Sequence, residues 1–140
     1  MLPHCIVPTL SACFDRMPNF LSEPATTSLN VGELLERHFG YRSFRPQQKE
    51  VIDHVLKGND AIVLMPTGGG KSICFQLPAL AFDGLTVVIS PLIALMKDQV
   101  QALQGNGIAA AYLNSSLSYN EEQEINRELR SGAMKLLYVS

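Results

Sequence analysis

The stretch AIVLMPTGGGKSICF, residues 61–75, decides the reading of the fold. AIVLM at 61–65 is a short apolar run with β-branched residues, bounded by Gly58-Asn59-Asp60 and by Pro66. That pattern predicts a buried strand. PTGGG at 66–70 reads as a loop, and KSICFQLPAL at 71–80 begins a helix. Strand, glycine loop, Lys-Ser and helix in that order form the setting a phosphate-binding loop requires. Gly68, Gly69 and Gly70 let the backbone curl so that several N–H groups face one anion. The helix start adds its positive dipole end and unpaired N–H groups. Lys71 can reach the β- and γ-phosphates, and the Ser72 hydroxyl can complete the octahedral shell of Mg²⁺. Thr67 stands in the same loop and joins the candidate contacts. Met65 occupies the place of the first glycine in GxxxxGK[ST], but it sits at the strand end, outside the cradle. The alternative is a plain glycine turn with an exposed Lys71; the order of the three elements favours the phosphate loop.

Outward from this segment, strands and helices alternate. Upstream, Asn30 with Glu33 predicts a helix N-terminus, Val31, Leu34, Leu35 and Phe39 share one face, and Gly40 ends the helix. Pro46 then suits the first turn of a second helix, 46–58, with Val51, Ile52, Val55 and Leu56 as its apolar stripe. Downstream, TVVIS at 86–90 repeats the buried-strand pattern. Pro91 opens a helix over 92–104 with Leu92, Leu95, Met96, Val100 and Leu103 at helical spacing. AAAYL at 109–113 is a weaker strand. Ser118-x-x-Glu121 is a capping box for a polar helix running to Arg130 and closed by Gly132, and KLLYV at 135–139 is a fourth strand. Four buried strands joined by helical crossovers predict an α/β fold: a parallel sheet with helices on both faces.

Residues 1–28 break this pattern. They hold four of the chain's eight prolines and no helical or alternating period, which reads as a flexible leader of doubtful origin, with Met17 as an alternative start. Composition narrows the function further. The chain has 140 residues, 46% of them hydrophobic and 17% charged, enough for one core and too few charges for a disordered tail. With 11 Lys+Arg against 13 Asp+Glu there is no global basic field, so any nucleic-acid binding must be local. Cys5, Cys13 and Cys74 form no CxxC pair or zinc cluster and read as free thiols in a reducing compartment, with Cys74 a small core residue. No apolar run is long enough to span a bilayer, and no membrane partner is expected.

A second constellation, FGYRSFRPQQ at 39–48, lies between the first two helices. The Gln48 amide offers a donor and an acceptor side by side, the pattern that pairs with the N6/N7 edge of adenine. Tyr41 and Arg45 are flat groups able to sandwich a base. On spacing alone the preferred reading is different: Tyr41 and Phe44 as core aromatics beside a solvated turn.

Taken together, FRPQQ, MPTGGGKS and SPLIALMKDQV resemble, in the right order, the start of a RecQ-family DNA helicase of superfamily 2, from Leu29 to Ser140. The resemblance implies a partial RecA-like P-loop NTPase domain over 29–140, the front of the first of two such domains. It implies ATP and Mg²⁺ as cofactors, with Tyr41, Arg45 and Gln48 on the adenine, Thr67 to Ser72 on the phosphates, Lys71 catalytic and Ser72 on the metal. Gln47 stands where many members have a smaller residue. SPLIALMKDQV is similar to motif Ia, which makes Ser90 and Lys97 candidate contacts to single-stranded or duplex DNA. A strand terminus and a solvated helix face describe them as well. The implied activity is ATP-dependent 3′ to 5′ unwinding, in the cytoplasm at a bacterial nucleoid or in a nucleus. No DExH-type acidic pair follows a fifth strand, and no second motor domain is present, so the chain is expected to be truncated. By itself it should not turn over ATP, and it should carry an uncovered apolar sheet edge. Other superfamily 2 NTPases and a non-catalytic nucleotide-binding segment are the competing readings.

Overall fold

The computed structural model describes residues 30–140; the expected leader lies outside them. Helix α1 spans Val31–Phe39. Asn30 caps it by accepting from Gly32 N–H at 3.0 Å, and Gly40 closes it at φ 72°. Helix α2, Gln48–Leu56, starts two residues later than Pro46 suggests. Gln47 takes the left-handed conformation at φ 70°, the one non-glycine among the described residues to do so. That kink turns the chain before the helix can begin. Helix α3, Ile73–Ala81, is buried on nearly every side, including its internal Pro78, which suits a helix apolar all round. Strand β1 is Thr86–Ile89, α4 Ile93–Gly105, β2 Ala110–Leu113, α5 Tyr119–Ser131 and β3 Leu136–Val139. The capping box of α5 is present, with Ser118 and Glu121 bonded reciprocally, and Gly132 closes the helix at φ 73°.

The sheet has three strands in the order β1-β3-β2, all parallel. Thr86, Leu136 and Ala110 lie in register at one end, and Ile89, Val139 and Leu113 at the other. Side chains alternate between faces, as a pleat requires. Ala110, Leu136 and Tyr138 pack with Ala79 of α3 and Met96, Val100 and Leu103 of α4. Ala111 and Leu137 point to the opposite face, where Ile125 and Leu129 of α5 cover them. A third cluster joins Leu35 of α1, Ile52 of α2 and Ile73 and Leu77 of α3. Helices therefore cover both faces, as predicted.

The expected fourth strand is absent. Residues 61–65 carry no strand pairing, and Ile62 and Leu64 are 84% and 77% exposed. A parallel strand exists only through hydrogen bonds to a neighbour. Among the described residues, β1 pairs with β3 alone, and its outer edge is open. Ala61, Val63, Thr86 and Val88 line one apolar cavity of ≈ 600 Å³ that lies between the 61–65 segment and β1. β1 is also not the fully buried strand its composition suggests: Val87 and Ile89, in register with Leu137 and Val139, lie outside the cluster formed with α5 and are 47% and 64% exposed.

Candidate functional site

The phosphate-type loop is held by side chains from the turn before α2. Arg45 N–H donates to Gln48 Oε1 at 2.8 Å, and Gln48 Nε2 donates to Gly70 O at 3.0 Å. Arg45 Nη1 donates to Gly68 O. Gln48 is buried, so satisfying both ends of its amide matters. Two of the three residues proposed to surround a base are thus gathered onto the glycine loop. Tyr41 stands apart, 52% exposed, whereas Phe44 packs beside the α1–α2–α3 core. The core-aromatic reading holds for Phe44 and not for Tyr41.

Within the loop, Gly69 N–H bonds to Pro66 O at 3.0 Å and closes the turn. Gly68 and Gly70 have φ of 78° and 84°, open to glycine and strained for any other residue. A side chain at Gly69 would meet Pro66 O at 2.9 Å. The backbone N–H groups of Gly70, Lys71 and Ser72 donate to no backbone carbonyl among the described residues. Lys71 Nζ donates to Met65 O at 2.8 Å and Pro66 O at 3.0 Å, so its ammonium lies across the loop. Helix α3 starts at Ile73, two residues after the expected start at Lys71. Lys71 and Ser72 therefore belong to the turn at the helix N-terminus. Thr67 is exposed at the loop tip. Burial pushes the Cys74 thiol up, which keeps it protonated and consistent with a core role.

Ser90 extends the sheet, donating its N–H to Val139 O at 2.9 Å, and its Oγ accepts from Leu92 N–H at 3.4 Å. It lies at the carboxyl edge of the sheet, where α/β folds place ligands. Lys97 is on a different surface. Its Nζ sits 6.0 Å from the centre of the Tyr112 ring, in a groove it shares with Glu121, Glu124 and Glu128. The structure does not bring Ser90 and Lys97 together. A residue that sequence reasoning missed is Gln99, whose Nε2 lies 3.4 Å from Ser72 Oγ. The available signal was a polar residue on the apolar face of α4, three after Met96 and four before Leu103. Among the described residues no cluster of His, Cys, Asp and Glu could hold a metal, and no helix is long and apolar enough to cross a membrane.

A parallel sheet covered by helices, a glycine loop leading into a helix start and a lysine lying across that loop are features of a P-loop NTPase type of domain, without the paired strand expected ahead of the loop. A family model described as DEAD/DEAH box helicase matches residues 45–140, and the chain belongs to that family. Within it the chain is of RecQ type. It is 59% identical over 108 residues to the ATP-dependent DNA helicase RecQ of Pasteurella multocida, covering 77% of this chain and 17% of that protein. The Bacillus subtilis RecQ helicase is 54% identical, with 76% and 18% covered. The mouse ATP-dependent DNA helicase Q1 is 44% identical, with 79% and 17% covered. The chain thus spans less than a fifth of the length of these curated relatives. Among solved structures, the DUF1998 helicase MrfA bound to DNA superposes with a TM-score of 0.65 at 19% identity, over 84% of this chain and 18% of that one. That likeness shows a shared fold.

Proposed function

We propose that residues 40–72 form the nucleotide site of an ATP-dependent DNA helicase, and that the whole protein couples ATP hydrolysis to 3′ to 5′ unwinding. The observation that carries this is the loop itself. At the N-terminus of α3 the N–H groups of Gly70, Lys71 and Ser72 donate to no backbone carbonyl among the described residues, and two cations, Arg45 and Lys71, rest on neutral carbonyls of the same loop. A triphosphate would attract the Lys71 ammonium more strongly than those neutral carbonyls do, because opposite charges add direct Coulomb attraction to the hydrogen bond. The residues therefore fit a triphosphate tail. Lys71 would hold the phosphates, and Gln48, Arg45 and Tyr41 would hold the adenine. Ser72 Oγ is the group that would hold Mg²⁺, which when bound neutralises charge between the β- and γ-phosphates.

DNA is the proposed polymer partner, and Ser90 at the carboxyl edge is its first contact in this chain. Lys97 contributes less, since the three glutamates of its groove repel phosphate. Contacts of this kind go to phosphate and sugar and give weak sequence preference. The protein works where its DNA lies, in a bacterial cytoplasm or in a nucleus. An RNA helicase or remodeller is the less favoured reading, because the relatives above are all named as DNA helicases.

The test is an equilibrium titration of a fluorescent ATP analogue with Mg²⁺. We expect saturable binding, weakened about 10- to 100-fold by Lys71→Ala, the loss of one charged hydrogen-bonding group. Uptake that does not saturate, or that ignores Lys71→Ala, overturns the proposal.

A further inference from the structure

Ser72 is the N-cap of α3, yet its hydroxyl caps nothing: its backbone is in the helical region and no side-chain cap bond forms. Free serine rotors choose among three staggered positions, and only one suits a metal ligand. The contact this hydroxyl makes is with Gln99 Nε2, 3.4 Å away on α4. Gln99 is half-buried on the wall of the same cavity that Lys71, Ser72, Phe75, Pro78 and Leu95 line. An amide facing an apolar wall is unfavourable unless it has a polar task. Its helix is well anchored: Met96, Val100 and Leu103 are all buried in the main core. The amide is therefore presented from a fixed position, across 27 residues of sequence.

We propose that Gln99 is a positioning residue for the metal-holding hydroxyl of Ser72. The inference rests on the nucleotide site proposed above. A hydroxyl has two lone pairs and one proton. Gln99 Nε2–H occupies one lone pair, the second remains for Mg²⁺, and the proton is left to face a phosphate oxygen. The contact thus fixes the rotor without competing with the ion, as outer partners do for metal ligands elsewhere. It also ties α4, which begins three residues after Ser90, to the phosphate loop.

The experiment is the same analogue titration on the whole protein, run across a Mg²⁺ series and again in EDTA. Gln99→Met keeps the length of the side chain and removes the amide. We expect the Mg²⁺ concentration for half-maximal binding to rise about three- to tenfold, the weight of one neutral hydrogen bond. Affinity in EDTA should not change. If Gln99→Met melts without cooperativity, Gln99→Asn replaces it; its amide is too short to reach and the same shift is expected. An unchanged Mg²⁺ midpoint overturns the inference, and so does an equal loss of affinity in EDTA, which marks a merely structural role. Wild type that fails to bind the analogue at all overturns the nucleotide site instead.

Discussion

Residues 61–65 and 135–139 make a natural experiment. AIVLM is richer in β-branched residues than KLLYV, yet only the second is a strand. β3 lies between β1 and β2, and Leu136, Leu137 and Tyr138 are 0%, 7% and 1% exposed. The 61–65 segment has an open cavity on one side and solvent on the other. Strand preference expresses a fit to neighbours more than a property of the backbone. What holds the unpaired segment's end is not a ladder but Lys71 Nζ on the carbonyl of Met65, with Arg45 and Gln48 holding the loop beyond it on the carbonyls of Gly68 and Gly70.

The largest effect should separate these two runs. Leu136→Ala removes a fully buried side chain from the central strand and should cost about 2–5 kcal/mol. Leu64→Ala, at a position 77% exposed, should stay within about 0.5 kcal/mol. Urea unfolding of both variants decides it. Equal losses would mean that 61–65 is buried in solution and that the contrast is false.

This contrast also marks what the sequence could disclose. Helix ends were legible because their signals are local: Asn30 and Gly40 around α1, Ser118, Glu121 and Gly132 around α5. The phosphate-type loop was legible for the same reason, since its glycines, Lys71 and Ser72 are consecutive. Parallel pairing is not local, so an apolar run such as 61–65 announces a strand without showing who pairs with it. The start of α2 was misplaced because Gln47 adopts a left-handed turn that Pro46 does not predict. That turn serves a contact of Gln48 with a loop 22 residues away. Gln99 escaped notice because its partner is 27 positions distant.

The substitute for strand pairing can itself be broken. Gly70 has φ 84°, and a Cβ there would lie 2.2 Å from Gln48 Nε2. Gly70→Ala adds backbone strain of about 1–3 kcal/mol and pushes Gln48 off the loop. We expect lower stability in urea together with faster exchange of the Gly69 amide, whose N–H bonds to Pro66 O. A variant with normal exchange there would show that the loop does not depend on Gln48. Gln47→Gly acts in the opposite sense and more weakly. It relieves a left-handed residue, worth about 1–2 kcal/mol, against the unfolded-state entropy of glycine, about 0.5–1 kcal/mol. A net gain between about 0 and 1.5 kcal/mol is expected, and any clear loss would show a contact of the Gln47 side chain that outweighs the strain.

The smallest effect belongs to α5, a helix supported at its start by local bonds that need no partner strand. Ser118 Oγ and Ser118 N–H donate to the Glu121 carboxylate at 2.6 and 2.8 Å. These bonds, aided by the charge of Lys97, hold its pKa below the ordinary 4.5, although the group is fully exposed. A carboxyl lowered in the folded state contributes stability above its unfolded value and loses it as pH falls through the folded value. The α5 N-terminus should therefore be fully capped at pH above 4.5 and fray below it as Glu121 takes up its proton. Amide exchange at Glu121 and Glu122, followed as pH is lowered, should rise beyond the intrinsic pH dependence of exchange while β3 stays protected. Glu121→Gln should remove that extra rise, because the amide cannot titrate. A rise that persists in this variant would assign the fraying to another carboxyl and take from the capping box its part in the contrast between local and non-local support.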